Sequence, residues 1–246
     1  MNKRKSIFSV LLNFNKSRPP RCSVVIAAAG SSERMNGEDK LFLNICGVPV
    51  LAYTLSAFER SDRISEIIIV TRESKTSRVS EICGEYGISK AKKIVIGGGT
   101  RLESVLKGVR VVSKKTKLIA VHDGARPCIT QKIITNTIDR AAKYHAAAPG
   151  IPITSTIKKV KDGVIVKSVD REGLVEIQTP QIFDADLIKA ALCLAANENA
   201  DITDDCQAVE KLGFPIHVTE GSRDNIKLTT SEDIQIAEGI FLRRRS

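Results

Sequence analysis

The stretch "SVVIAAAGSSERMNGEDK" (residues 23–40) begins as a continuous apolar run and passes through small residues into a loop carrying an arginine and a lysine. A run of that length without polar alternation suits a strand buried on both faces, as in parallel sheets. Three more runs share the texture: "EIIIV" (66–70), "KIVIG" (93–97) and "LIAVHD" (118–123). Between and after them the periodicity is helical, over about 50–60, 74–86, 101–112 and 130–145. The alternation predicts an α/β fold, a mostly parallel sheet with helices on both faces. The 246 residues can bury one such core without a second domain, so residues 23–246 read as a single unit behind a basic leader, 1–22.

The texture changes from residue 152 to 181, where basic side chains alternate with Val and Ile around Asp162-Gly163, a strong hairpin signal. An arm over about 152–176 is predicted to project from the main sheet. A two-stranded arm is marginal in water by itself, so a second subunit is expected to cover it. Beyond the arm the pattern predicts helices over 184–197 and 204–212, a strand over 216–219 and a last helix from 232 to about 242.

A net charge of +10 suggests nucleic acid until its location is read. Lys3, Arg4, Lys5, Lys16, Arg18 and Arg21 lie in the leader, and Arg243, Arg244 and Arg245 close the chain. Without those nine, the 38 basic residues fall to 29 against 28 acidic ones, and the body is nearly neutral. With aromatics at 4% and no Trp to stack on bases, a nucleic-acid partner is not expected. The apolar part of the leader, Ile7 to Phe14, is broken by Ser9 and Asn13 and lacks a small-residue cleavage pattern, so it reads as a tail and not as an export signal. No apolar run approaches the roughly twenty residues of a membrane span. The six cysteines form no CxxC pair and no metal-ligand spacing, which suits reduced thiols and a cytoplasmic location.

In an open parallel sheet ligands bind beyond the carboxyl ends of the strands. There the first run delivers Ala28, Ala29 and Gly30, small enough for free backbone N–H groups to approach an anion, followed by Arg34 and Lys40. Alone this is neither a GxGxxG nor a P-loop, and an ordinary turn with two solvated cations remains open. "GGGTRLESV" (97–105) gives a second glycine-rich entry into a helix, and "VHDGARP" (121–127) puts Asp123 at a strand end beside Gly124 and Arg126. A carboxylate there can hold Mg²⁺ on a triphosphate, because that ion shares substrate oxygens; capping the next helix is the simpler alternative.

In order, AAAG with Arg34 and Lys40, GGGTRLESV, VHDGARP, TIKK, VDREGL with QTPQIF, TDDCQAVEKLG and GSRDNIKLTTSEDI resemble the 2-C-methyl-D-erythritol 4-phosphate cytidylyltransferases of the non-mevalonate isoprenoid pathway, over about residues 23–242. The resemblance implies a Rossmann-like nucleotidyltransferase fold, a homodimer joined through the β-arm, and use of CTP with Mg²⁺ on a polyol phosphate. It implies that Ala28, Ala29, Gly30, Arg34 and Lys40 grip the triphosphate and that Gly98, Ser104 and Gly124 contact the nucleotide, the first two around the cytosine. Asp123 matches the magnesium ligand. Arg126, Thr156, Arg171 and Lys227 match the acceptor phosphate pocket, Thr156 and Arg171 reaching over from the partner's arm.

The chain departs from the family's usual pattern at Ser32 (commonly Gly), Asp39 and Leu41 (Pro and Gln around the Lys), Gly99 (an acid) and Ser155 (Asp). The implied nucleophile is a phosphate monoester, already ionised near neutrality because its second pKa is about 6, so no general base is required. His122, His145 and His217 belong to no catalytic constellation in the sequence. A ribitol-5-phosphate cytidylyltransferase uses the same chemistry and is the close competitor; a non-catalytic nucleotide-binding protein of this fold is the alternative from another class.

Overall fold

The computed structural model describes residues 20–30 and 39–245. Strand β1 (Cys22–Ala28) leads past a short hairpin, β2 (Asn44–Ile45) and β3 (Val48–Pro49), into helix α1 (Val50–Glu59). Then β4 (Ile64–Thr71), α2 (Thr76–Glu85), β5 (Ala91–Ile96), α3 (Arg101–Arg110), β6 (Leu118–Asp123) and α4 (Gln131–Tyr144) alternate. They are followed by β7 (Ala146–Pro152), β8 (Ile157–Lys161), β9 (Val164–Val169), β10 (Val175–Ile177) and β11 (Gln181–Asp184). Helices α5 (Ala185–Asn197) and α6 (Asp205–Lys211), strand β12 (His217–Glu220) and helix α7 (Glu232–Arg245) complete the chain.

The main sheet runs β10-β7-β11-β6-β1-β4-β5, with β12 beside β7. β1 lies between β4 and β6, parallel to both, and β5 extends the parallel set. The period-two geometry of a strand explains why the apolar runs are continuous. Val24 and Ile26 of β1 join one core with α1, α2, α4 and α7, whereas Val25 joins a second core with α3, α5 and α6. Helix starts fall where the sequence supplies an oxygen: Thr100, Thr130, Asp184 and Asp204 each accept backbone N–H groups at the N-caps of α3, α4, α5 and α6. His145, in the left-handed region at φ 70°, ends α4.

Three features depart from the sequence expectation. "KIVIG" is not buried on both faces: β5 is the sheet edge, with Lys92 and Lys93 outward and Ile96 exposed. β7 and β11 are core strands that the pattern did not announce, since Ala-Ala-Ala-Pro-Gly has low strand propensity and "QIFD" is only four residues long. Pro149 is tolerated because it falls between the part of β7 paired with β11 and the part paired with β10. β11 runs antiparallel between β6 and β7, so the sheet is mixed. The arginines at the end of the chain are not a loose tail. They belong to α7, where Arg243 donates to both carboxylate oxygens of Asp224 at 2.8 and 2.7 Å and Arg244 donates to Cys128 O at 2.9 Å.

The arm is a separate two-stranded sheet of β8 and β9, turned at Asp162 (φ 50°) and Gly163 (φ 78°) as a two-residue hairpin requires. β10 at its base belongs to the main sheet. Its side chains are mostly exposed, Val160, Val164, Ile165 and Val166 among them.

Helix α3 lies against the sheet at Gly108, where an added Cβ would stand 2.6 Å from methyl groups of both Val25 and Val70. Alanine would gain up to about 1 kcal/mol of helix propensity, but overpacking of this kind costs about 1–3 kcal/mol. Gly108→Ala is therefore expected to lower the urea unfolding midpoint; an unchanged or raised midpoint would show that α3 can move off the sheet without cost.

Candidate active site

The carboxyl ends of β1, β5 and β6 meet at a cleft of about 440 Å³. Their junction is tied by backbone: Gly124 N donates to Ala27 O at 3.0 Å and Gly97 N to Thr71 O at 2.9 Å. Ala28, Ala29, Gly30, Lys40, Gly98, Ser104 and Asp123 line the cleft, as do Arg101 and Lys227. Gly98 N donates to Ser104 Oγ at 3.0 Å, and Gly99 N to Glu103 Oε2 at 2.8 Å, so the glycine loop is closed by the helix it enters. The carboxylate of Glu103 turns back onto the N–H of Gly99.

Asp123 is the electrostatic centre. Burial alone would raise its pKa, but Lys227 (3.0 Å), Arg101 (4.0 Å) and Arg126 (3.4 Å) outweigh it and bring the carboxyl down to about 2. It is an anion at any physiological pH. His122 beside it is buried, and burial takes its imidazole down to about 3, so the ring is neutral. It pairs with Thr179 Oγ1 at 2.9 Å and with Arg126 O at 3.3 Å, a structural role.

Arg126 is buried; its guanidinium also donates to Asn225 O at 2.7 Å, and it does not line the cleft. Thr156 and Arg171 lie exposed on the arm and its return, away from the cleft lining, with Arg171 donating to Thr154 O. Arg34 and Ser32 lie outside the described residues.

Sequence reasoning left Arg101, Asp205, Thr179, Gln181 and Asn225 without individual roles. Arg101 donates to Asp205 at 2.7 Å and faces Asp123, bridging two carboxylates. Gln181 Oε1 accepts from the N–H groups of Asp205 and Cys206, both at 3.0 Å, fixing the start of α6. Asn225 donates to Gln178 Oε1 at 3.2 Å and Thr179 O at 3.0 Å, which holds the loop bearing Lys227 against β11's entry. All five lie in blocks that carry the family resemblance, but a polar residue in a motif shows no partner until the fold supplies one.

A mixed α/β sheet with glycine-rich turns, converging cations and one ionised carboxylate at its strand ends is the architecture of the Rossmann-like nucleotidyltransferases. Within that class, the profile of the 2-C-methyl-D-erythritol 4-phosphate cytidylyltransferase (IspD) family matches residues 22–243. The chain belongs to that family. It is 44% identical over 220 residues to the 2-C-methyl-D-erythritol 4-phosphate cytidylyltransferase of Halalkalibacterium halodurans, covering 89% of this chain and 96% of that protein. The enzyme of the same name from Caldanaerobacter subterraneus is 44% identical over 225 residues, 90% and 99% of the two chains. Among solved structures, 4-diphosphocytidyl-2C-methyl-D-erythritol synthase from Anaerococcus prevotii superposes with a TM-score of 0.80 at 30% identity, over 92% of this chain and 97% of that one. The Thermus thermophilus cytidylyltransferase gives 0.75 at 28%, over 89% and 98%.

Asp205 is fully buried, and burial pushes its carboxyl up while Arg101 pulls against it. Breaking such a pair from one side costs about 3–5 kcal/mol. Arg101→Met is expected to lose that much stability at pH 7. The loss should shrink towards pH 5, because an unpaired buried carboxyl has a folded pKa above its unfolded one and its cost disappears when protonated. Urea midpoints at the two pH values check this, and a loss that grows on acidification would mean that Asp205 is not the stranded group.

Proposed function

We propose that the chain transfers CMP from CTP to 2-C-methyl-D-erythritol 4-phosphate and releases pyrophosphate, a step of isoprenoid precursor synthesis. The observation that supports this most is the meeting of three strand-end loops on one cleft, with Lys40, Arg101 and Lys227 on its walls and Asp123 ionised among them. An oxygen of the acceptor phosphate attacks the α-phosphorus of CTP as the bond to the β-phosphate oxygen breaks, and pyrophosphate carries the electron pair away. Two anions must be brought together, so alignment and charge stabilisation are the main requirements.

The roles are those the family resemblance implies, and the cleft lining supports them for Ala28, Ala29, Gly30, Lys40, Gly98, Ser104, Asp123 and Lys227. Backbone N–H groups at Ala28, Ala29 and Gly30, with Lys40 and Arg34, receive the triphosphate. Gly98 and Ser104 on the lining, with Gly124 next to Asp123, are assigned to the nucleoside; Lys227 is assigned to the acceptor phosphate, and Arg126, buried off the lining, would act on that pocket through Asp123. Asp123 fits Mg²⁺ held mainly by phosphate oxygens, since that ion needs only one or two protein carboxylates and Asp123 is ionised at the cleft. When bound, the ion supplies neutralisation of the triphosphate charge.

A homodimer through the arm belongs to the same proposal. Val160 and Ile165 are cross-strand neighbours and both are exposed, so a second subunit would cover them and bring Thr156 and Arg171 to the neighbouring cleft. The six free cysteines favour a reducing compartment, the cytoplasm.

Turnover is tested by pyrophosphate release from CTP and Mg²⁺ with either acceptor. Methylerythritol phosphate is expected to react and ribitol 5-phosphate not to; the opposite preference would overturn the substrate, and silence with both would favour a binding role. Lys40→Ala is expected to slow turnover about a hundredfold or more, as loss of one electrostatic stabiliser does. Ile165→Glu should shift sedimentation from dimer to monomer and depress turnover with it; a monomeric parent chain would remove the dimer from the proposal.

A further inference from the structure

The turn that carries Lys40 is built around Asp39. Phe42 N donates to Asp39 O at 2.8 Å, and Leu41 N donates to Asp39 Oδ1 at 3.2 Å, so backbone and side chain of Asp39 both close the turn over Lys40. Leu41 is buried, and its carbonyl accepts from Leu51 N at 2.9 Å, which anchors the far end. The near end is anchored by charge. Asp39 Oδ2 accepts from Arg72 Nη2, and the Asp39 side chain is only 7% exposed.

Arg72 is well placed for this. It follows Thr71, the last residue of β4, whose hydroxyl donates to Ala28 O at 3.4 Å and whose carbonyl accepts from Gly97 N at 2.9 Å. It therefore extends from the point where the β1 and β5 loops are tied together. Three residues on, the Lys75 ammonium sits 5.5 Å from the ring centre of Phe42, so one short segment, 72–75, grips both ends of the Lys40 turn.

We propose that Arg72 is a positioning residue for Lys40, acting through Asp39. The Asx turn fixes the backbone and brings a largely sequestered carboxylate next to a lysine assigned to phosphate. Arg72 neutralises that carboxylate at Oδ2, the oxygen not used by Leu41 N, and holds the turn to the rim of the sheet. Without Arg72 the carboxylate would draw on the Lys40 ammonium. The inference rests on the reading of Lys40 as a triphosphate ligand.

The test is a set of variants assayed for kcat and for KM of both substrates. Arg72→Met is expected to lower kcat/KM for CTP about tenfold or more at a temperature well below unfolding, as small misplacement of a catalytic charge does, with a lowered thermal midpoint because Asp39 loses its partner and an unchanged KM for the acceptor. Adding Asp39→Asn should restore most of the loss, because Asn keeps the acceptor for Leu41 N and drops the charge. In a Lys40→Ala background Arg72→Met should add no further loss. Unchanged kcat/KM in Arg72→Met, no rescue by Asp39→Asn, or a further tenfold loss without Lys40 would each overturn the proposal. Full turnover in Lys40→Ala alone would instead overturn the role of Lys40, and the two failures are read from different variants.

Discussion

A carboxylate buried at the end of a central strand must be compensated, and Asp123 sets the terms for everything around it. Lys227 comes from the loop after β12, Arg101 from the start of α3 and Arg126 from the turn after β6 itself. Each of these segments is then held in place by something else. Arg101 needs Asp205, Asp205 needs the start of α6 as fixed by Gln181, and the Lys227 loop needs Asn225 and, through Asp224, the arginines of α7. One buried negative charge thus draws helices and loops from opposite cores to a single point.

The same arrangement explains how a cleft rich in cations can exist before any anion enters it. Lys227 and Arg101 are paired with carboxylates, and the Lys40 turn carries Asp39, which is paired in turn with Arg72. On the proposed reading, a triphosphate would compete for these cations with partners already present. The donors are therefore oriented in advance, and little reorganisation remains for the moment of reaction.

Much of this was legible in the residues. Both-faces burial of β1, β4 and β6 shows directly as unbroken Val and Ile, and Asp162-Gly163 signals its hairpin because few other pairs accept two positive φ angles. Ala28 to Gly30, Lys40, Gly98, Ser104, Asp123 and Lys227 reach one cleft because parallel strands deliver their ends to the same edge. What was not legible is long-range pairing. "AAAPGIP" becomes a strand only because β11, β10 and β12 surround it, and small side chains suit a position covered on both faces. Arg243 and Arg244 stand in the sequence only as charges that close the chain, because Asp224, nineteen residues before Arg243, gives no local sign of being their partner.

The departures from the family pattern sort themselves by this distinction. At Gly99 the helix that follows returns a carboxylate, Glu103, to the backbone N–H, so the loop is closed by local means. Asp39 closes its turn with a carboxylate whose charge is answered from the residue just beyond β4, distant in sequence. A local substitution can be compensated within the same motif. A substitution that adds a buried charge cannot, and the chain must recruit a counter-charge from wherever the fold brings one close. Arg72 is thus invisible to motif reading for the same reason that Asp205 is: each matters through a partner that only the folded sheet places beside it.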